Sequence, residues 1–87
     1  MYKIKFSKDA KKFIEKQDSK TKKRFKKVFE KLAINPYPSN NSLDAKKLKN
    51  IEGYRLRIGK YRFIYIVLED SLIIVVNKGD SRGDIYK

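Results

Sequence analysis

The stretch Tyr54-Arg55-Leu56-Arg57-Ile58-Gly59-Lys60-Tyr61-Arg62-Phe63-Ile64-Tyr65 alternates apolar with mainly basic residues on both sides of a Gly-Lys pair, the pattern of a β-hairpin. Glycine at the first central position suits a two-residue type II′ turn, and such a turn sets the register. Ile58 then faces Tyr61, Arg57 faces Arg62, Leu56 faces Phe63, Arg55 faces Ile64 and Tyr54 faces Tyr65. Directly opposed residues share a face. Tyr54, Leu56, Ile58, Tyr61, Phe63 and Tyr65 therefore make an apolar face that should receive the rest of the chain, while Arg55, Arg57 and Arg62 gather on the other. Like charges directly opposite one another are unfavourable in a sheet, and a bound anion gives the Arg57 and Arg62 pair its reason. Arginine suits that task because its planar guanidinium keeps its charge and grips phosphate oxygens in a bidentate way. The competing reading is a solvated sheet face whose arginines pair with Glu52, Glu69 or Asp84.

Outward from the hairpin, Leu72 to Asn77 reads as a further strand beyond Glu69-Asp70-Ser71, and the strand opened at Tyr61 runs to Leu68. Toward the N-terminus, Asn35-Pro36-Tyr37-Pro38-Ser39-Asn40-Asn41-Ser42 is a surface loop. It ends a helix from Lys20 to about Ile34, whose Phe25, Val28, Phe29, Leu32 and Ala33 form one apolar stripe. Ser7 can cap an earlier helix from Lys8 to about Gln17 with Ala10, Phe13 and Ile14 on one side. Tyr2, Ile4 and Phe6 alternate with Lys3 and Lys5 as in a half-buried strand. The expected fold class is α+β: an N-terminal strand and a two-helix hairpin packed on one face of a mostly antiparallel β-sheet.

The 87 residues make one domain spanning 1–87, small enough that a stabilising partner is expected. With 23 Lys and Arg against 10 Asp and Glu, the formal charge is +13, and a polyanion is the natural counterpart. Nucleic acid fits better than a membrane surface, since the arginines alternate along strands and no basic amphipathic anchor is present. The helices carry Lys11, Lys12, Lys16, Lys20, Lys22, Lys23, Lys26 and Lys27, either as solvated cover or as a docking surface for RNA. Without cysteine or histidine, thiol and imidazole chemistry and the common transition-metal ligands are excluded, so no metal site and no cofactor are expected. No apolar run has signal-peptide or membrane-spanning length, and a cytoplasmic location is expected. Near the C-terminus Arg82 adds a further cation, and Tyr86 could either stack on a base or close the core edge.

The block from Gly53 to Tyr65, of the form G-x-YR-x-R-x-G-x-YR-x-x-Y, and the ending Arg82-Gly83-Asp84-Ile85-Tyr86 resemble the RelE branch of the RelE/ParE superfamily of toxins from toxin–antitoxin pairs. The resemblance covers nearly the whole chain. It implies a metal-independent endoribonuclease that enters the ribosomal A site and cuts mRNA there by attack of a 2′-hydroxyl on the adjacent phosphate. It further implies catalytic roles for Arg57, Arg62 and Arg82, with Arg55, Lys60 and Tyr86 contacting RNA. The expected partners are a RelB-like antitoxin, the ribosome with its mRNA, and operator DNA only through the antitoxin complex. In some members a lysine proposed as general base stands where this chain has Arg57, and arginine holds its proton to a pKa above about 12. Lys60 and Lys49 are other candidates, so the base is unassigned. Gly79-Asp80-Ser81 also departs from the more usual Gly-His-Arg approach to the C-terminal arginine. A ParE-like toxin of the same fold, which binds and poisons DNA gyrase without catalysis, is the alternative.

Overall fold

The computed structural model describes residues 1–81. In chain order it contains β1 (Lys3–Phe6), α1 (Lys8–Glu15), α2 (Ser19–Ile34), β2 (Asp44–Lys47), β3 (Tyr54–Ile58), β4 (Tyr61–Leu68), a 3₁₀ turn over Glu69–Ser71, and β5 (Ile73–Asp80). The strands form one sheet in the order β1-β5-β4-β3-β2. Only β1 and β5 run parallel; the other neighbours are antiparallel. This is the α+β arrangement expected, with one strand more, because the short segment Asp44–Lys47 pairs with β3 as an edge strand.

Local chemistry sets the helix boundaries. Ser7 Oγ accepts from the Ala10 amide at 3.1 Å and donates to the Asn77 carbonyl at 2.6 Å, so one hydroxyl starts α1 and ties it to β5. Asp18 caps α2 by accepting from the Thr21 amide at 2.8 Å. That bond holds the Asp18 carboxyl below its ordinary pKa. Substituting such a cap typically costs about 1 kcal/mol.

Both helices cover the apolar face of the sheet. Phe25, Phe29 and Leu32 from α2 and Ala10 from α1 are buried with Leu56, Ile58, Phe63, Tyr65, Ile74 and Val76. Phe63 is the hub: Phe13, Phe25 and Phe29 meet its ring edge-on at 5.7, 5.1 and 5.2 Å between centroids. Such pairs add about 0.5–1.5 kcal/mol each beyond burial. A one-residue slip of β4 would send Phe63 to solvent and Arg62 into this cluster, so aromatic packing fixes which way the arginines point. Tyr65, Tyr54 and Tyr61 belong to the core side as expected, Tyr65 fully and the other two in part.

The pairing of β5 with β4 contains an irregularity. Ile64 pairs with Lys78 and Tyr65 with Val76, leaving Asn77 as an extra residue. This bulge shifts the alternation of β5, placing Gly79 opposite Phe63 and Asp80 opposite Arg62. Gly79 permits the rings to close, since a Cβ there would stand 2.6 Å from Phe13 and 2.8 Å from Phe63.

Candidate nucleic-acid interface

The hairpin register is the one expected: Ile58 with Tyr61, Arg57 with Arg62, Leu56 with Phe63, Arg55 with Ile64 and Tyr54 with Tyr65. Gly59 has φ of +61°, and Lys60 is not among the described residues with positive φ, as a type II′ turn requires. The turn also lies under a helical side chain. A Cβ at Gly59 would lie 2.8 Å from the guanidinium nitrogens of Arg24, which packs from α2 against the turn. Arg24 is the only arginine of either helix and was not singled out by the sequence reading. Lys60 sits in the turn with Nζ 5.5 Å from the Tyr61 ring centroid, a cation–π contact at the tip.

On the face turned away from the helices, four strands contribute one cross-sheet row: Asp44, Arg57, Arg62 and Asp80, each in register with the next. The opposed arginines are thus flanked by acids. Asp44 takes both arginines of β3, with Oδ1 accepting from Arg55 Nη2 at 3.0 Å and Oδ2 pairing with Arg57 Nε at 3.1 Å. This corrects two sequence-based expectations. The ion-pair partner of Arg55 and Arg57 is Asp44 rather than Glu52 or Glu69, Asp84 lying outside the described residues, and the arginine row has a counter-charge from the protein itself. Asp44 is the residue that sequence reasoning missed. Its signal was slight: a lone acid between Leu43 and Glu52 in an otherwise basic stretch, on a strand with one apolar residue, Ala45.

The arginines differ in their surroundings. Arg55 is buried, with 7% of its surface exposed, whereas the side chain of Arg57 is 41% exposed and Arg62 is half-buried. Ile64, beside Arg55 on the same face, is also buried. The face is therefore a graded one, apolar and closed around Arg55 and Ile64, open at Arg57 and Asp44. Arg55 Nε has no hydrogen-bond partner among the described residues. Arg82 and Tyr86 lie outside the described residues. Among the described residues no three acidic, histidine or cysteine side chains gather as a metal site, and no helix is long and apolar enough to cross a membrane.

The family model described as the ParE toxin of the type II toxin–antitoxin system parDE matches residues 4–84. A curated relative from Methanocaldococcus jannaschii, named for the toxin RelE1, is 46% identical over 66 residues, covering 75% of this chain and 72% of that one. The chain belongs to the RelE/ParE superfamily of toxins. A RelE-like toxin protein of Escherichia coli is 33% identical over 87 residues, with 98% of this chain and 90% of that one aligned. In architecture, this RelE-like toxin is similar to the archaeal RelE of the RelE–RelB complex from Pyrococcus horikoshii OT3, at 29% identity and a TM-score of 0.80, covering 95% of this chain and 97% of that one. The two-helix layer on a five-stranded, mostly antiparallel sheet is the RelE fold.

Proposed function

We propose that this RelE-like toxin is an endoribonuclease that cuts mRNA in the ribosomal A site and so arrests translation. The observation that carries the reading is the Arg57 and Arg62 pair, opposed on the sheet face that the helices leave uncovered. In the reaction a 2′-oxygen forms a bond to the neighbouring phosphorus, the bond from phosphorus to the 5′-oxygen breaks, the 2′-proton leaves to a base, and the departing 5′-oxygen receives a proton. Negative charge builds on the non-bridging oxygens as this proceeds. Guanidinium groups fixed on a rigid sheet meet that charge without rearranging, which is the principal contribution a protein makes to phosphoryl chemistry of this kind. Arg57 and Arg62 take this role with no metal ion needed, Arg55 and Lys60 hold the flanking strand, Arg82 serves the leaving oxygen and Tyr86 stacks on a base.

A RelB-like antitoxin is the proposed partner, as RelB is for the Pyrococcus horikoshii relative. The surface we assign to it lies away from the arginine row, where Tyr2, Ile4, Phe6, Ile14, Phe25 and Phe29 line an apolar groove of about 610 Å³ between β1 and the helices, rimmed by Lys11, Lys22 and Lys26 together with Glu15 and Glu30. An amphipathic segment with an apolar face and a mixed-charge rim fits it. Operator DNA is contacted through the antitoxin complex, and ribosome and antitoxin together place the toxin's action in the cytoplasm.

The matched family model is named for ParE, which favours one second reading: a non-enzymatic toxin that poisons DNA gyrase. Adding purified toxin to a translating extract and mapping mRNA ends by primer extension separates the two. The ribonuclease reading expects new ends at the codon in the A site. Intact mRNA together with inhibited gyrase supercoiling would overturn it.

A further inference from the structure

Asp44 owes its direction to its neighbours. Leu43 and Ala45, on either side of it, both pack against the core cluster, and Ala45 stands opposite buried Leu56. Alternation therefore sends the Asp44 side chain to the uncovered face, directly across from Arg57. The loop before it is tied down as well: the Asn40 carbonyl accepts from the Leu43 amide at 3.1 Å, and Asn40 Oδ1 accepts from the Ser42 amide at 3.0 Å. The carboxylate is then fixed in rotation from its buried side, because Oδ1 accepts from Nη2 of Arg55 at 3.0 Å. That leaves Oδ2 facing Arg57, which it meets at Nε, 3.1 Å away. Nε is the inner nitrogen of the guanidinium, and the terminal amino groups carry its remaining N–H donors.

We propose, resting on the RNA-cleavage reading of this row, that Asp44 is a positioning residue: it holds Arg57 by Nε so that the terminal amino groups meet the scissile phosphate end-on, in one clamp with Arg62. Two observations favour this over a carboxylate that only dilutes the positive charge. The Arg57 side chain is 41% exposed, so without a partner its long stem would sample many rotamers, and the ion pair with Asp44 selects among them before RNA arrives. Asp44 also lies on the β2 side of Arg57 and Arg62 on the β4 side, so the carboxylate draws one guanidinium away from the other and keeps the like charges apart. An acid beside a phosphate site weakens binding through its charge, whereas a donor held in place stabilises the transition state more than the ground state. Binding and turnover should therefore respond to Asp44 with opposite signs.

The test is single-turnover mRNA cleavage on programmed ribosomes by Asp44→Asn, made both in the wild type and in Arg57→Ala, with folding checked by circular dichroism. Asparagine has one acceptor oxygen and so cannot hold both guanidiniums. Asp44→Asn should lower the saturating rate by about tenfold while the toxin concentration giving half that rate falls. In the Arg57→Ala background it should change the residual rate by less than about twofold, since nothing is left to position. A saturating rate equal to or above that of the wild type would overturn the proposal and make Asp44 a place-holder that RNA displaces. An equal loss in both backgrounds would overturn it too, as the mark of a role in the fold alone. In the free toxin, NMR should find the Arg57 Nε–H exchanging with water faster in Asp44→Asn than in the wild type, and equal exchange would contradict the hold. No cut in the A-site codon by the wild type would bring down the cleavage reading and this role with it, whereas a wild-type cut with an unimpaired variant sinks only the role of Asp44.

Discussion

At the end of the sheet far from the Gly59-Lys60 turn, the Glu69 carboxylate accepts from Tyr2 Oη at 2.8 and 2.9 Å and from the Tyr37 hydroxyl. Nearer the turn, the Asp44 carboxylate takes Arg55 and Arg57. Each end uses one acid shared between two side chains, Tyr2 and Tyr37 from separate parts of the chain at one and Arg55 and Arg57 of a single strand at the other, and the donors differ in charge. Neutral tyrosines satisfy Glu69 and hold its carboxyl below the ordinary 4.5, the Tyr37 bond contributing most and Tyr2 next. The same bonds push the tyrosine hydroxyls up. Tyr37 continues inward through an edge contact with Tyr54, which stacks on buried Tyr65. That end is a locally satisfied clasp at the protein surface. At the other end two guanidiniums share one carboxylate, with Arg62 and then Asp80 next in the row, on the face that the helices leave uncovered. Like construction thus yields a neutral fastening at one end and a row of charged side chains at the other.

The contrast can be broken most sharply at Arg62. Arg62→Ala should lower the rate of mRNA cleavage on programmed ribosomes by about 10²–10³-fold, as removal of one preorganised charge donor does. Its stability should change by no more than about 0.5 kcal/mol, checked by thermal melting, because the residue lies outside the core cluster. At the clasp end the pattern should reverse. The Tyr65 hydroxyl, whose ionisation is pushed up by burial, donates to the Pro36 carbonyl at 2.6 Å. Tyr65→Phe should therefore cost about 1–2 kcal/mol in denaturant melts while leaving cleavage by the folded protein unaltered.

A smaller effect is expected at Asp44, the residue that tempers the arginine row. Asp44→Asn keeps an acceptor oxygen but removes the charge, so RNA affinity should rise severalfold and the plot of log K against log salt should steepen by about one counterion. Unchanged affinity and slope would show that Asp44 does not restrain the clamp. The smallest effect concerns pH and Glu69. A carboxyl whose folded pKa is depressed contributes stability above its unfolded value of 4.5 and loses it as pH falls through the folded value. Melting temperatures of the wild type and Glu69→Gln should therefore differ near neutrality and converge as the pH falls below 4.5 through the folded value.

Much of this layout was legible in the residues, for identifiable reasons. A two-residue turn with glycine first, flanked by strict alternation, leaves one register, and the opposed arginines followed from it. Ser7 and the stripe from Phe25 to Ala33 marked the helices because capping and 3.6-residue periodicity are local signals. The strand at Asp44–Lys47 was not legible: its four residues are mostly polar and lie at a sheet edge, so neither face carries an apolar pattern. With that strand hidden, the pairing of Asp44 with arginines 11 and 13 positions onward was hidden too. The bulge at Asn77, which brings Asp80 opposite Arg62, likewise depends on tertiary pairing rather than on local composition. Around Arg55, alternation separated outer from inner face but did not reveal that the outer face would itself be partly closed.

The most direct measurement of the central claim is single-turnover cleavage of mRNA on purified ribosomes with a defined codon in the A site, comparing wild type with Arg57→Ala/Arg62→Ala. Wild type should cut within that codon, and the double variant, folded by circular dichroism, should leave the message intact. Equal cutting by both proteins, or no cutting by the wild type, would contradict the assignment of the arginine row as the ribonuclease site.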